Sequence, residues 1–253
     1  MAQYVDLQGA CAAITGAAGG IGRACAQALA LNGCRIAVLD LADKLDEAHE
    51  TVELIQGAGG QAHAFEIDVT RVESIKRAIQ ATNQGLGPLR IWVNNAGTVV
   101  RKPAFEVTEE DWDRVTGVCL RGVFFCSQAA AAAMRDSGGG SIINIASVFG
   151  LVAGVNRAPY STSKAAAVHL TRILACEWHQ YGIRVNAVAP CFVRTPMTER
   201  LLEQGLDVQN RSLDERLADP ADVAEAVLFF ASASASRMVT GHTLAVDGGW
   251  TAW

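Results

Sequence analysis

Short apolar runs alternate along the chain with longer stretches in which apolar residues recur every three or four positions. The runs at 10–15, 35–40, 62–67, 89–94, 141–146, 184–189 and 244–246 predict strands. The stretches at 20–32, 47–56, 73–82, 109–135, 160–181 and 220–231 predict helices, with Pro220 opening the last. Strands that are apolar along their whole length are buried on both faces. Their alternation with helices implies a doubly wound parallel sheet in a three-layer α/β/α arrangement. The 197–217 stretch is looser and reads as a covering segment, mixing Leu201, Leu202, Leu206 and Val208 with charges. No Pro-, Gly- or Ser-rich linker divides the chain, and no repeat of solenoid period is present, so residues 1–253 read as one domain.

Composition narrows the classes. Half of the residues are hydrophobic and 19% are charged, which is material for a large core. A formal net charge of −5 suits a phosphate backbone poorly, so no nucleic-acid partner is expected. No uninterrupted apolar run reaches the ~20 residues that span a bilayer. Residues 1–8 lack the basic and apolar regions of a signal peptide. The expectation is a cytoplasmic protein without a membrane partner. Seven cysteines are scattered, with none at C-x-x-C spacing, and the five histidines are equally dispersed. Free thiols in a reducing compartment are expected, with neither a disulfide framework nor a metal site.

Candidate chemistry begins at the first strand-to-helix junction, Thr15-Gly16-Ala17-Ala18-Gly19-Gly20-Ile21-Gly22. A Gly-rich turn there lets backbone N–H groups approach a pyrophosphate, and the helix N-terminus adds a favourable dipole. Gly16, Gly19, Gly20, Ile21 and Gly22 are therefore candidate cofactor contacts. Asp40 ends the second strand, about 20 residues further on, where an acidic side chain accepts hydrogen bonds from ribose hydroxyls and repels a 2′-phosphate. Positions 19 and 41 are Gly and Leu, so neither supplies a cation for that phosphate. The expected cofactor is NAD rather than NADP.

Tyr160 and Lys164 form a Tyr-x-x-x-Lys pair in a helical stretch, and this spacing puts both on one face. An ammonium close to a phenol favours the ionised form, and a tyrosine so placed passes a proton to or from an alcohol oxygen. Ser147 follows the 141–146 strand and has a hydroxyl suited to holding a substrate oxygen. With Asp68-Val69, Asn94-Asn95-Ala96-Gly97, Arg184-Val185-Asn186-Ala187, Pro190, Thr195 and Val246-Asp247-Gly248-Gly249, these residues span nearly the whole chain. The sequence resembles the short-chain dehydrogenase/reductase family, in its branch of about this length. The resemblance implies a Rossmann-like fold and metal-free hydride transfer between nicotinamide and an alcohol or ketone. It also implies Tyr160 as general acid/base, Ser147 as the substrate-orienting partner, and Lys164 as ribose ligand and modifier of the tyrosine. Asp68 and Val69 would meet the adenine, Asn95 the cofactor, and Val193 and Thr195 the nicotinamide carboxamide. A homotetramer is implied, built through the long helices, where Ala129–Ala133 and Ala165–Ala167 allow close packing.

Two positions depart from the family pattern. Cys119 stands in Val118-Cys119-Leu120-Arg121-Gly122 where the family has an asparagine linked to a helix distortion and a water relay. Cys191 follows Pro190 where the family more often has glycine. The 98–103 stretch resembles sugar-acid and polyol dehydrogenases such as gluconate 5-dehydrogenases. There Arg101 and Lys102, or Arg157 near Tyr160, offer cations to a carboxylate, unless all three are solvated surface charges. Arg194 faces either cofactor phosphates or solvent. The leading expectation is a dehydrogenase of a polyol, sugar acid or related small hydroxy compound. A 3-oxoacyl thioester reductase is the alternative enzyme, and a weakened NAD-binding sensor or scaffold the alternative of another class. The aromatic end Trp250-Thr251-Ala252-Trp253 is expected to dock on the protein, near a neighbouring active site.

Overall fold

The computed structural model of the chain describes residues 4–203, 205, 213 and 216–252. Leu206, Val208 and Trp253 lie outside them. The strands are β1 (Cys11–Thr15), β2 (Arg35–Asp40), β3 (Gln61–Glu66), β4 (Leu89–Asn94), β5 (Gly140–Ile145), β6 (Ile183–Pro190) and β7 (Thr243–Val246). They form one seven-stranded sheet in the order β3-β2-β1-β4-β5-β6-β7, parallel throughout. The helices of eight residues or more are α1 (Gly20–Leu31), α2 (Leu45–Gly57), α3 (Val72–Leu86), α4 (Glu109–Thr116), α5 (Val123–Arg135), α6 (Ala158–Trp178), α7 (Pro196–Glu203) and α8 (Pro220–Ala231). The doubly wound arrangement expected from the pattern is the one observed.

Successive side chains of a strand point to opposite faces, and both faces are covered. Ile14, Ile36, Val38, Val93 and Ile143 pack under α1, α2 and α8. Ala13, Leu39, Trp92, Ile142 and Val185 pack under α3, α5 and α6. A polar relay threads this second layer. Trp92 Nε1 donates to Asn94 Oδ1 at 2.7 Å, Asn94 Nδ2 donates to Asn144 Oδ1 and Ser127 Oγ at 2.8 Å, and Asn144 Nδ2 donates to Thr171 Oγ1 at 2.9 Å. It ties β4, β5 and α6 together just below the ends of the strands that carry Asn95 and Ser147. Across β6, Asn186 donates to Val239 O and accepts from His242 N, which fixes the crossover into β7.

The 109–135 stretch expected as one helix is interrupted. Gly117–Gly122 forms a π-helical turn between α4 and α5, centred on Cys119 and Leu120. The whole unit Glu109–Arg135 is 27 residues long and apolar enough over part of its length to cross a bilayer on those two criteria, which the run-length reading missed. Cys126, Ala130 and Met134 instead bury one side of it in the core. The other departure is α7, a helix in the stretch read as loose.

Candidate active site

The strand order reverses between β1 and β4, and a crevice opens beyond the carboxyl ends of the strands, where doubly wound sheets bind ligands. A cleft of about 540 Å³ occupies this place. Gly16, Gly19, Gly20, Ile21 and Asp40 line one end, and Ser147, Tyr160 and Lys164 line the other, with Asn95, Cys191 and Thr195 between. Ten of the fourteen sequence-predicted site residues therefore meet in one place. Asp68, Val69, Gly22 and Val193 do not reach its wall. Asp68 accepts from Thr70 N and Oγ1, and Val69 is buried with its carbonyl against Gly122. A Cβ on Gly22 would sit 2.2 Å from Gly16 O, so this glycine lets α1 pack onto its own entry loop. Val193 is buried and bridges to Ala218.

The loop after β1 is held from below. Thr15 Oγ1 accepts from Asn95 N and Ala96 N, each at 3.0 Å, and Asn95 Nδ2 donates to Thr15 O and Gly16 O at 2.9 Å. Asn95 thus fixes the glycine turn as well as lining the cleft. Gly20 has φ 55°, a left-handed conformation that a side chain strains, and it lies under Thr195. No side chain caps α1, so its first-turn amides face the cleft without a protein acceptor of that kind. This donor set, with the glycine turn beneath it, fits a dinucleotide pyrophosphate.

Asp40 Oδ2 accepts from Ala18 N and Oδ1 from Leu41 N, both at 2.9 Å. Burial pushes its carboxyl above the ordinary value, while the two amides and Lys44 pull it back. Sequence reading missed two cations at this end, Arg23 and Lys44. Arg23 donates to Thr51 Oγ1, Ala18 O and Glu47 O and pairs with Glu50, and Lys44 pairs with Glu47. Arg194 is exposed and lies 3.7 Å from Asp219.

At the other end, α6 carries Tyr160 and Lys164 on one face. Pro159 suits its first turn, where a missing N–H costs no hydrogen bond. Lys164 is buried. Its Nζ donates to Ile145 O at 2.6 Å and lies 5.6 Å from the Tyr160 ring centre. Ser147 Oγ accepts from Phe149 N at 3.2 Å, which leaves its O–H available to a substrate oxygen. Cys119 is fully buried, and its thiol donates to Thr98 O at 3.3 Å and accepts from Thr98 N at 3.5 Å. The π turn therefore persists with cysteine in place of asparagine, and the sulfur anchors the 98–103 loop.

Residues 16–251 match a family model described as enoyl-(acyl carrier protein) reductase. The 2-dehydro-3-deoxy-D-gluconate 5-dehydrogenase of Escherichia coli (strain K12) is 36% identical, over 98% of this chain and 97% of its own. The (3R)-3-hydroxyacyl-CoA dehydrogenase of Canis lupus familiaris is 40% identical, over 98% of this chain and 99% of its own. A short-chain type dehydrogenase/reductase from Mycobacterium marinum, known from its crystal structure, superposes with a TM-score of 0.93 at 35% identity, over 98% of both chains. The chain belongs to the short-chain dehydrogenase/reductase family. As a member it is an oxidoreductase acting on CH–OH groups, and the family's nicotinamide chemistry matches the cleft.

This dehydrogenase/reductase also has an aromatic wall that motif reading did not resolve. Phe149 lies 5.6 Å from Phe192 between ring centres, and Trp250 lies 6.0 and 5.7 Å from the two. The Arg157 guanidinium sits 3.9 Å over the Phe149 ring. Of the aromatic tail, Trp250 thus docks beside its own active site. The unusual tail composition was the only sequence signal for this wall.

Proposed function

We propose that the chain is a single catalytic domain, an NAD-dependent dehydrogenase that interconverts a secondary alcohol and a ketone. The substrate class is a polyol, sugar acid or related small hydroxy compound. The observation that carries this reading is the meeting of Ser147, Tyr160 and Lys164 in the same cleft as the glycine turn and Asp40. Bound nicotinamide supplies the hydride acceptor in one direction and the donor in the other. Gly16, Gly19, Gly20 and Ile21 would hold the pyrophosphate, Asp40 the adenosine ribose, and Lys164 the nicotinamide ribose. Ser147 donates a hydrogen bond to the substrate oxygen. Tyr160 takes the hydroxyl proton as the carbonyl forms, and returns it in reduction. The alcohol thus loses a hydride and a proton, and the products are ketone, NADH and H⁺.

NAD is favoured over NADP because a 2′-phosphate would meet the Asp40 carboxylate. The nearby Arg23 and Lys44 are already engaged with Glu50 and Glu47. The Canis lupus familiaris relative supports a second reading, a hydroxyacyl thioester substrate. The intact serine, tyrosine and lysine, with the π turn kept at Cys119, weigh against a non-catalytic sensor. We also propose the homotetramer implied by family likeness. The half-exposed Trp112 on α4 and Ile173 on α6 offer it apolar surface.

Absorbance at 340 nm, with NAD and with NADP, over gluconate, sorbitol and 3-hydroxybutyryl-CoA tests the reading. Tyr160→Phe is expected to keep NAD affinity and lower kcat by at least 100-fold. Turnover near the parent rate in Tyr160→Phe would place the proton donor elsewhere.

A further inference from the structure

The loop after β4 and the loop before α6 are joined by Lys102 N donating to Asn156 O at 3.1 Å. Arg101 and Arg157 flank that hydrogen bond. Asn156 has φ 59°, the left-handed region, and is the only non-glycine with positive φ among the described residues. This bend delivers Arg157 to the start of α6, three residues before Tyr160.

The three cations here are held differently. Lys102 pairs with Asp111, which also pairs with Arg114 and caps α4. Neither Arg101 nor Arg157 makes an ion pair with a described residue. Arg101 has a buried Nε with no hydrogen-bond partner among the described residues. Arg157 is 9% exposed, and its Nε donates to Val155 O at 3.2 Å. Its guanidinium carbon sits over the Phe149 ring, 3.9 Å from the ring centre, and 5.6 Å from the Phe192 ring centre. Cation–π contact compensates part of the desolvation, and it orients the fork. Burial, then the Arg101 charge, push the Arg157 pKa below its ordinary value, while Tyr160 opposes them. Phe149 is also the residue whose N–H holds Ser147 Oγ, and Phe192 is the chain neighbour of Cys191, which lines the cleft. Two cations brought to neighbouring loops, neither paired with a described carboxylate, suit an anionic ligand beside the reacting residues.

Resting on the dehydrogenase reading above, we propose that Arg101 and Arg157 form an anion subsite. It receives the carboxylate of a small hydroxy or keto acid while the reacting carbon faces Ser147 and Tyr160. Guanidinium forks suit a carboxylate because they donate two parallel hydrogen bonds. An acid and a polyol of equal carbon number are then distinguished by this subsite alone.

The test is calorimetric titration of gluconate and of sorbitol into the enzyme–NADH complex, which needs no turnover. Gluconate is expected to bind at least tenfold more tightly than sorbitol. Arg101→Met and Arg157→Met are each expected to lower that ratio at least tenfold with NADH binding retained, and Arg157→Lys to recover part of it. Arg101→Met keeps the test decisive if Arg157→Met folds poorly, because Arg101 is the less buried. Equal affinity for acid and polyol, or a ratio unmoved by Arg101→Met, overturns the subsite. The dehydrogenase reading is judged separately by NADH formation across the panel. That can succeed where the subsite fails, and a preference for the acid without any NADH formation would keep the subsite and sink the reading.

Discussion

Asp40 combines two demands that oppose each other. It must be ionised to hold ribose hydroxyls and repel a 2′-phosphate, yet burial raises its pKa above the ordinary 3.8. With the folded value above the unfolded one, the ionised side chain destabilises the empty fold at every pH above the raised value. That cost fades as pH falls through the raised value toward 3.8. In calorimetric scans, the ligand-free parent is expected to gain in melting temperature relative to Asp40→Asn as pH falls from 7 toward 4, because asparagine carries no such titration. NAD affinity of the parent should fall on acidification at a pH above that for an exposed aspartate, and this fall should be absent in Asp40→Asn. The preference of Asp40→Asn for NAD over NADP should drop about tenfold, and an unchanged ratio would remove Asp40 as selector. Asp40 was legible because a strand end has a fixed place relative to a glycine turn. Arg23 and Lys44 were not, since their position in the cleft depends on how α1 and α2 pack.

Elements were legible wherever one period ran unbroken. The strands emerged within a residue or two because short apolar runs bounded by helical stretches mark them, and β1, β2, β4, β5 and β6 are buried along most of their length. The π turn left no mark in the period, since the bonds at its centre join Cys119 to the distant Thr98, and only the family's helix distortion at position 119 pointed to it. The polar relay was hidden for the same reason. Asn94 and Asn144 look like ordinary strand ends, yet together they lock β4 and β5 to α6. Asn144→Leu leaves the buried Asn94 amide and Thr171 hydroxyl each short of a partner, at a cost of about 1–3 kcal/mol. Urea unfolding should show a lower midpoint at unchanged slope. Because the relay also sets α6 beneath Tyr160, kcat should fall along with stability. A stability loss with kcat intact would make the relay a fold element without influence on the site.

For the whole molecule, the question is whether the C-terminal end belongs to the subunit or to the assembly. Asp247 accepts from Gly249 N, Thr251 N and Thr251 Oγ1, which folds the end back after β7. Trp250 is 7% exposed within one chain and completes the ring cluster on which Arg157 lies. These contacts need no neighbour. A chain ending at Gly249 loses the indole packing, worth about 3 kcal/mol for a large aromatic side chain. It also takes the indole from the ring cluster beside Arg157 while leaving the glycine turn and Asp40 untouched. NAD affinity should therefore be retained and the substrate KM should rise several-fold, with kcat less affected. The native mass by light scattering should stay at the parent value, expected to be four times the 26.7 kDa of one chain. If truncation instead lowered the native mass with KM unchanged, the tail would be acting at a subunit interface. The aromatic wall would then be dispensable to substrate binding.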